Sequence, residues 1–192
     1  MGVIKEVVPQ KAPTVKPCME LLKEVTRILV KKGEPTVWTT PSSFLVRQEY
    51  RDFPSSMVRT RLFGKVYCIN YQKEEAESKL NLRKHTNGIS ANFIHSLDSA
   101  AMVLCVLEAK AQGVKAFRMI HDGFATIPAN MEHLNKAIRK SFREMYEKEN
   151  LLQKFVMEAL GQEEGEKLWK EHNIQQGALT FNLLDEAVYF FA

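Results

Sequence analysis

Three observations predict an α+β fold for this 192-residue chain. Apolar residues recur at helical spacing through residues 14–32, 90–113 and 130–150. β-rich runs occupy 36–50, 58–88 and 116–122. Glycine, proline and Asp-Gly punctuation separates the two kinds of stretch.

Residues 1–13 hold three valines and two prolines without a clear period and read as an extended lead-in. In 14–32 the stripe Met19, Leu22, Val25, Ile28, Leu29 predicts a helix, with Lys16, Lys23, Arg27 and Lys31 on its solvated side and Gly33 as its stop. "TVWTTPSSFLVRQEY", 36–50, reads as a hairpin: Val37 and Trp38 in one strand, Pro41-Ser42 in the turn, Phe44 to Val46 in the other. Residues 58–88 predict a long two-stranded arm that turns through the polar "QKEEAESK" and returns through "LNLRKH". Residues 90–113 predict a helix capped by Ser90 and ended by Gly113, with Phe93, Leu97, Ala101, Leu104 and Ala111 inward. Residues 130–150 predict another, capped by Asn130, with Leu134, Ile138, Phe142 and Met145 inward and Lys136, Arg139, Lys140 and Arg143 in solvent. "LLQKFVMEALG" and "EGEKLWKEHN" read as shorter helices, and "FNLLDEAVYFFA" closes the chain on apolar residues.

Composition narrows the function classes. The apolar share of 45% and the charged share of 26% are those of a globular protein. An excess of 27 Lys and Arg over 23 Asp and Glu permits a polyanionic partner without requiring one. Cys18, Cys68 and Cys105 are far apart and form no Cys-x-x-Cys pair, so they read as reduced, buried thiols of an intracellular protein, not a zinc site or disulfide frame. No uninterrupted apolar run approaches the roughly 18 residues of a membrane span, and no secretory h-region opens the chain, so no membrane partner is expected.

Two stretches carry candidate chemistry. The arm interleaves Arg59, Arg61, Lys65, Lys73, Lys79, Arg83 and Lys84 with Phe63, Tyr67 and Tyr71, a mixture that tracks phosphates and stacks on bases. Glu74, Glu75 and Glu77 support plain solvation instead, and composition leaves both readings open. In "KAFRMIHDGFATIPAN", alternation puts Phe117, Met119 and His121 on one face and Arg118, Ile120 and Asp122 on the other. An aspartate at a hairpin tip is a ligand for a hard cation such as magnesium, while Asp-Gly is also a favoured type I′ turn pair.

"FRMIHDGFATIP" resembles the palm motif C hairpin of the bacteriophage-type single-subunit RNA polymerases, which include the mitochondrial enzymes. "NGISANFIHSLDSAAM" is similar to the family's G-I-A-P-N-F-x-H-S-x-D segment, and "TPSSFLVRQEYRD" to its T-P-x-G-F-P-V-x-Q-E-Y. The terminal "YFFA" resembles the family's aromatic end, and the landmarks fall in the family's order. The resemblance implies that Asp122 coordinates two Mg2+ ions, that His121 lies beside the RNA 3′ end and that His95 lies near the template–product duplex. It makes 58–88 the counterpart of the specificity loop, where the family's base-reading residues do not carry over one by one; the arm's own basic residues Arg59, Arg61, Lys65, Arg83 and Lys84 are the expected nucleic-acid contacts. It sets Phe191 and the Ala192 carboxylate in support of the active site. Gly123 stands where the phage pattern often has serine, and it separates the chain from family A DNA polymerases, whose motif reads His-Asp-Glu.

The resemblance therefore implies a partial polymerase palm, with a motif C hairpin packed on helices and a projecting arm. Residues 1–35 would be a lead-in and fingers-to-palm helix, and 36–192 the C-terminal palm portion. The family's motif A aspartate, motif B Lys and Tyr and N-terminal region have no counterpart here. Two-metal transfer clamps ions roughly 4 Å apart, which one aspartate does not hold; Asp52, Asp98 and Asp185 read as surface or capping groups. A second polypeptide is thus expected to complete the enzyme, with DNA template, RNA product and nucleoside triphosphates as partners, in the cytoplasm of a phage's bacterial host. The alternatives are a non-catalytic nucleic-acid-binding descendant of a polymerase and a family A DNA polymerase palm.

Overall fold

The computed structural model describes residues 13–72, 78–174, 177, 180–187 and 189–190. Helix α1, Val15–Lys32, buries Leu21, Leu22, Val25 and Leu29 and ends on Gly33 with φ +81°. The amides of Gly33 and Glu34 bond back to the carbonyls of Val30 and Leu29, a Schellman stop. Strands β1, Thr36–Thr39, and β2, Leu45–Gln48, form the expected hairpin, Trp38 opposite Val46. The lead-in expected at 1–13 lies, but for Pro13, outside the described residues.

The arm differs from its expected shape. Two-residue strands β3, Arg51–Asp52, and β6, Lys79–Leu80, pair at its base. Strands β4, Ser55–Leu62, and β5, Lys65–Gln72, run antiparallel as eight residue pairs and turn at Phe63-Gly64. "QKEEAESK" is therefore not the tip; residues 73–77 of it lie outside the described residues. "LNLRKH" is not a returning strand either, because helix α2, Leu82–Ala111, begins there. The Asn81 side chain caps it by accepting from the Lys84 amide at 2.7 Å. Ser90, expected as the cap, sits inside the helix with its hydroxyl buried and unbonded. Gly88 lies within the helix, and a Cβ there would meet the Tyr50 ring at 3.2 Å, so the aromatic packs where only glycine leaves room.

The remaining elements are β7, Arg118–Ile120, and β8, Gly123–Ala125, then α3, Met131–Glu147, α4, Leu151–Leu160, α5, Gln162–His172, and the short α6, Leu183–Glu186. Asn130 makes no side-chain cap to α3, contrary to expectation, since a 3-10 turn at Pro128–Asn130 leads directly into the helix. The result is a mixed α+β architecture of helices and two-stranded antiparallel hairpins.

Helix α2 runs through two apolar clusters. In the larger, Ile89, Phe93, Leu97 and Ala100 meet α1, Trp38, Phe155, Val156 and Leu168. In the smaller, Cys105 and Ala109 meet Val114, Leu134 and Ala137, with Phe117, Met119 and Phe124 packed on them. Of the three thiols expected to be buried, only Cys105 is; Cys18 is half-buried and Cys68 is exposed, because it lies on the arm, whose strand faces meet solvent. Ala111, expected inward, is exposed because the stripe has drifted off the core by the last turn. An 18-residue window of α2 has mean hydropathy 1.4, so by length and composition alone this helix meets the measure of a membrane span. A count of uninterrupted apolar residues missed it, because polar residues such as Asp98 break the run.

Candidate functional site

The hairpin β7–β8 presents His121 and Asp122 as its two turn residues, Ile120 facing Gly123 across the ladder. The turn is therefore His-Asp rather than Asp-Gly. His121 has φ +52° and Asp122 has no positive φ, whereas a type I′ turn needs both central residues positive. Histidine is among the non-glycine residues enriched in that region. Alternation holds through Met119, which faces the smaller cluster, and stops at the turn, where His121 and Asp122 are both exposed. Phe117, Met119 and Phe124 anchor the hairpin on α2 and α3. A lone carboxylate thus stands at a fixed tip, with no hydrogen bond or ion pair among the described residues. Among those residues no three His, Cys, Asp or Glu side chains gather closely enough to hold a metal ion. Asp122 fits one ligand position, and the site is not complete within the described chain.

His95 lies elsewhere on α2. Cys105, under the hairpin, is about 15 Å further along the helix axis at a rise of 1.5 Å per residue. His95 is exposed in an open groove with Arg47, Glu49, Tyr50 and Asn92, floored by Trp38 and Gln48. Here the two sequence segments that carried the resemblance meet. The Asn92 amide donates to Gln48 Oε1 and to the Tyr50 hydroxyl, each at 2.8 Å. Gln48 Nε2 donates to the His85 carbonyl at 3.0 Å. Trp38 Nε1 donates to Ser96 Oγ at 2.9 Å, and Ser96 donates to the Phe93 carbonyl at 2.7 Å. Phe93 goes to the core, so Asn92, Phe93 and Ser96 of "NFIHS" hold the groove together around the exposed histidine.

His85 is fully buried at the edge of this network. The Tyr50 amide donates to its Nε2 at 3.2 Å, and its Nδ1 lies 2.8 Å from the Asn81 carbonyl. Accepting at Nε2 fixes the proton on Nδ1, which donates to Asn81. The Tyr50 ring stands edge-on to the imidazole with centroids 5.4 Å apart. Sequence reasoning missed Gln48, Tyr50, His85, Asn92 and Ser96. The quoted motifs contained four of them, whereas His85 sat in a polar run with no spacing signal.

On the arm, Arg59, Arg61 and Lys65 are exposed and make no ion pair among the described residues. No acidic residue lies between Phe53 and Lys73. Several cations elsewhere are paired, Lys32 with Glu164, Arg47 and Arg51 with Glu49, Lys140 with Glu108, while others such as Lys115 and Arg118 have no ion pair among the described residues either. The Arg51 hydrogen bond holds the Glu49 carboxyl below its ordinary range. Arg83 and Lys84 do not lie on the arm but in the first turn of α2, a consequence of the early Asn81 cap. Lys84 is 3.3 Å from Asp52, whose other oxygen accepts from Asn81 at 2.5 Å, so Asp52 ties the arm base to the helix cap.

Phe191 and Ala192 lie outside the described residues. The segment before them sits on α3. Phe190 meets Phe142 edge-on at 5.1 Å, and the Arg139 guanidinium lies 5.7 Å from the Phe190 ring centre. Arg139 also donates to the Leu184 carbonyl, and Arg143 pairs with Asp185. Arg139, Lys140 and Arg143 thus have partners where only solvent was expected.

The sequence profile described as DNA-dependent RNA polymerase matches residues 4–186. The DNA-directed RNA polymerase of Enterobacteria phage K11 is 29% identical over 137 residues, covering 71% of this chain and 15% of that protein. T7 RNA polymerase of Escherichia phage T7 is 30% identical over 137 residues, covering 71% and 16%. DNA-directed RNA polymerase 1A of Nicotiana tabacum is 30% identical over 131 residues, covering 67% and 80%. The matched region spans about one-seventh of the phage relatives' length.

Proposed function

The chain belongs to the phage- and mitochondrial-type single-subunit DNA-directed RNA polymerase family, and on that premise we propose that it carries the palm portion that brings Asp122 to a templated ribonucleotide transfer. The observation that carries this reading is the lone, exposed, unpaired Asp122 carboxylate on a hairpin anchored from both sides.

In the reaction the RNA 3′-hydroxyl attacks the α-phosphate of a nucleoside triphosphate and pyrophosphate leaves. Bound magnesium would neutralise the charge developing on the phosphoryl oxygens. Asp122 would be one of its ligands, and the second aspartate comes from outside these residues, on a second polypeptide that also carries motifs A and B. His121, set in the same turn, lies beside the RNA 3′ end. His95, Tyr50 and Arg47 line the path of the template–product duplex. Arg59, Arg61 and Lys65 follow phosphates along the arm, and Arg83 extends that surface at its base. The decisive test is Asp122→Asn in the assembled polymerase, with nucleotide addition as the readout.

The charge of the arm makes a separate prediction. Each phosphate contact contributes roughly 0.9 to the slope of log affinity against log salt on duplex DNA. Arg59→Ala with Arg61→Ala should weaken DNA binding and flatten that slope by about 2. Anisotropy titrations across a salt series measure it, and an unchanged slope means that the arm does not touch phosphate.

The end of the chain also belongs to this reading, since Phe190 and Asp185 contact α3, which also packs on the hairpin. A tag appended after Ala192 should slow elongation by the assembled polymerase, while the same tag before Met1 leaves it near the untagged rate. Equal elongation rates for the two tagged forms would remove the C-terminus from the site.

A further inference from the structure

Phe63 is the outermost residue of the arm and is 98% exposed. With Gly64 it forms the two-residue turn between β4 and β5, at φ +51° and +75°. Positive φ at both centres is the type I′ pattern, which favours Asn-Gly or Asp-Gly. A bulky residue in that region is a true outlier. Phenylalanine here is unfavourable twice over, in the backbone it must adopt and in the apolar surface it leaves in water. Packing does not compensate, since the ring is exposed.

The surroundings are equally one-sided. Leu62 faces Lys65 across the last rung and Arg61 faces Val66 on the rung below, so the two cations stand on opposite faces of the ribbon just behind the ring. Neither is ion-paired among the described residues, and the ladder of eight pairs holds the tip at a fixed distance from the body. We propose that Phe63 is a stacking residue, whose ring seats on the face of an unpaired base while Arg61 and Lys65 take the phosphates on either side. This rests on the reading that the arm contacts nucleic acid. A nucleic acid strand offers an aromatic face and flanking anions together. An apolar protein pocket would cover the ring but would have to desolvate two unpaired cations beside it. The base is unpaired because in an intact duplex each base face is already stacked, and exposing one costs free energy.

The experiment uses the 192-residue chain and DNA carrying 2-aminopurine, either in a short unpaired bubble or fully paired. The wild-type chain should quench the bubble fluorophore and bind the bubble more tightly than the duplex. Phe63→Ala should lose the quenching and bind the bubble roughly tenfold more weakly, with duplex binding unchanged. Phe63→Trp should retain both. Phe63→Asn supplies the favoured turn residue, so its melting temperature should equal or exceed that of the wild type while bubble binding falls as in Phe63→Ala. Wild-type bubble binding by Phe63→Ala or Phe63→Asn overturns the proposal, as does a Phe63 defect confined to assembly with the companion chain. The arm double variant Arg59→Ala/Arg61→Ala distinguishes the failures. If it still weakens binding when the Phe63 variants do not, only the tip assignment falls. If it too is without effect, the nucleic-acid reading of the arm falls with it.

Discussion

Asp122→Asn should reduce nucleotide addition by the assembled polymerase about a thousandfold or more, while the melting temperature of the chain stays where it was. The two halves of this expectation come from different features. A carboxylate that holds a catalytic metal contributes several kcal/mol of transition-state stabilisation, and each 1.36 kcal/mol is tenfold in rate. The neutral amide keeps the shape and loses the charge. Stability should not follow, because Asp122 is exposed and makes no hydrogen bond or ion pair among the described residues. Asparagine is also at home in turns. Exposed substitutions of this kind usually stay within about 0.5 kcal/mol. Single-nucleotide extension, measured beside a thermal melt of the same preparation, separates the two quantities. Extension at the wild-type rate would favour the non-catalytic alternative, in which the hairpin is an inherited shape without metal chemistry.

How much of this was legible in the sequence depends on which force set each element. Helices α1 and α3 to α5 were readable because one face of each meets the core, and the apolar period records that directly. Hairpin β1–β2 was readable for a similar reason, since Trp38 and Val46 face inward while Phe44 and Leu45 remain exposed around a loop closed by Thr40. The arm was misread because neither of its faces is buried. Tyr67, Ile69 and Tyr71 share one face with Val58 and Leu62, while Arg59 and Arg61 share the other with Val66 and Cys68. With both faces in solvent no alternation marks the turn, and the polar run further along looked like the better tip. The start of α2 was misplaced because Ser90 reads as a cap as well as Asn81 does, and only the fold shows Asn81 accepting from the Lys84 amide while it ties to Asp52 at the arm base.

The site divides along the same line. Asp122, His121 and His95 were expected from the resemblance, and all three are exposed. Residues that hold those groups in place are harder to read, because their partners lie far away in sequence. Asn92 reaches Gln48 across 44 positions and His85 reaches Tyr50 across 35. Nothing in either segment alone announces the pairing. Once the fold is known, most of the letters in "QEY" and "NFIHS" acquire a physical task.

Trp38 joins the core to that site, and its removal should have the largest effect on stability. The indole is 2% exposed. Its ring lies 6.1 Å from Phe93 and 5.8 Å from Phe155, and those two rings are 5.1 Å apart, so three aromatics from β1, α2 and α4 share one contact. Trp38→Ala should cost about 3 to 5 kcal/mol, the range for emptying a buried aromatic site. Domains of this size are stable by only about 5 to 15 kcal/mol, so the variant should unfold at a much lower urea midpoint. Trp38→Phe should keep most of the ring contact and lose the 2.9 Å bond to Ser96, for a net loss near 1 kcal/mol from that bond. Ser96 does not become an orphan, because its hydroxyl still donates to the Phe93 carbonyl. The position matters beyond stability. β1 carries β2 in register, and β2 leads into Tyr50 beside His95, so a loosened Trp38 lets that wall of the groove move away from α2. Urea titrations of both variants test the ordering, with the alanine variant far below the phenylalanine variant and both below the wild type. A Trp38→Ala loss smaller than about 1 kcal/mol would show that the three-ring contact does not hold the hairpin to the helix, and the account of the groove would fail with it.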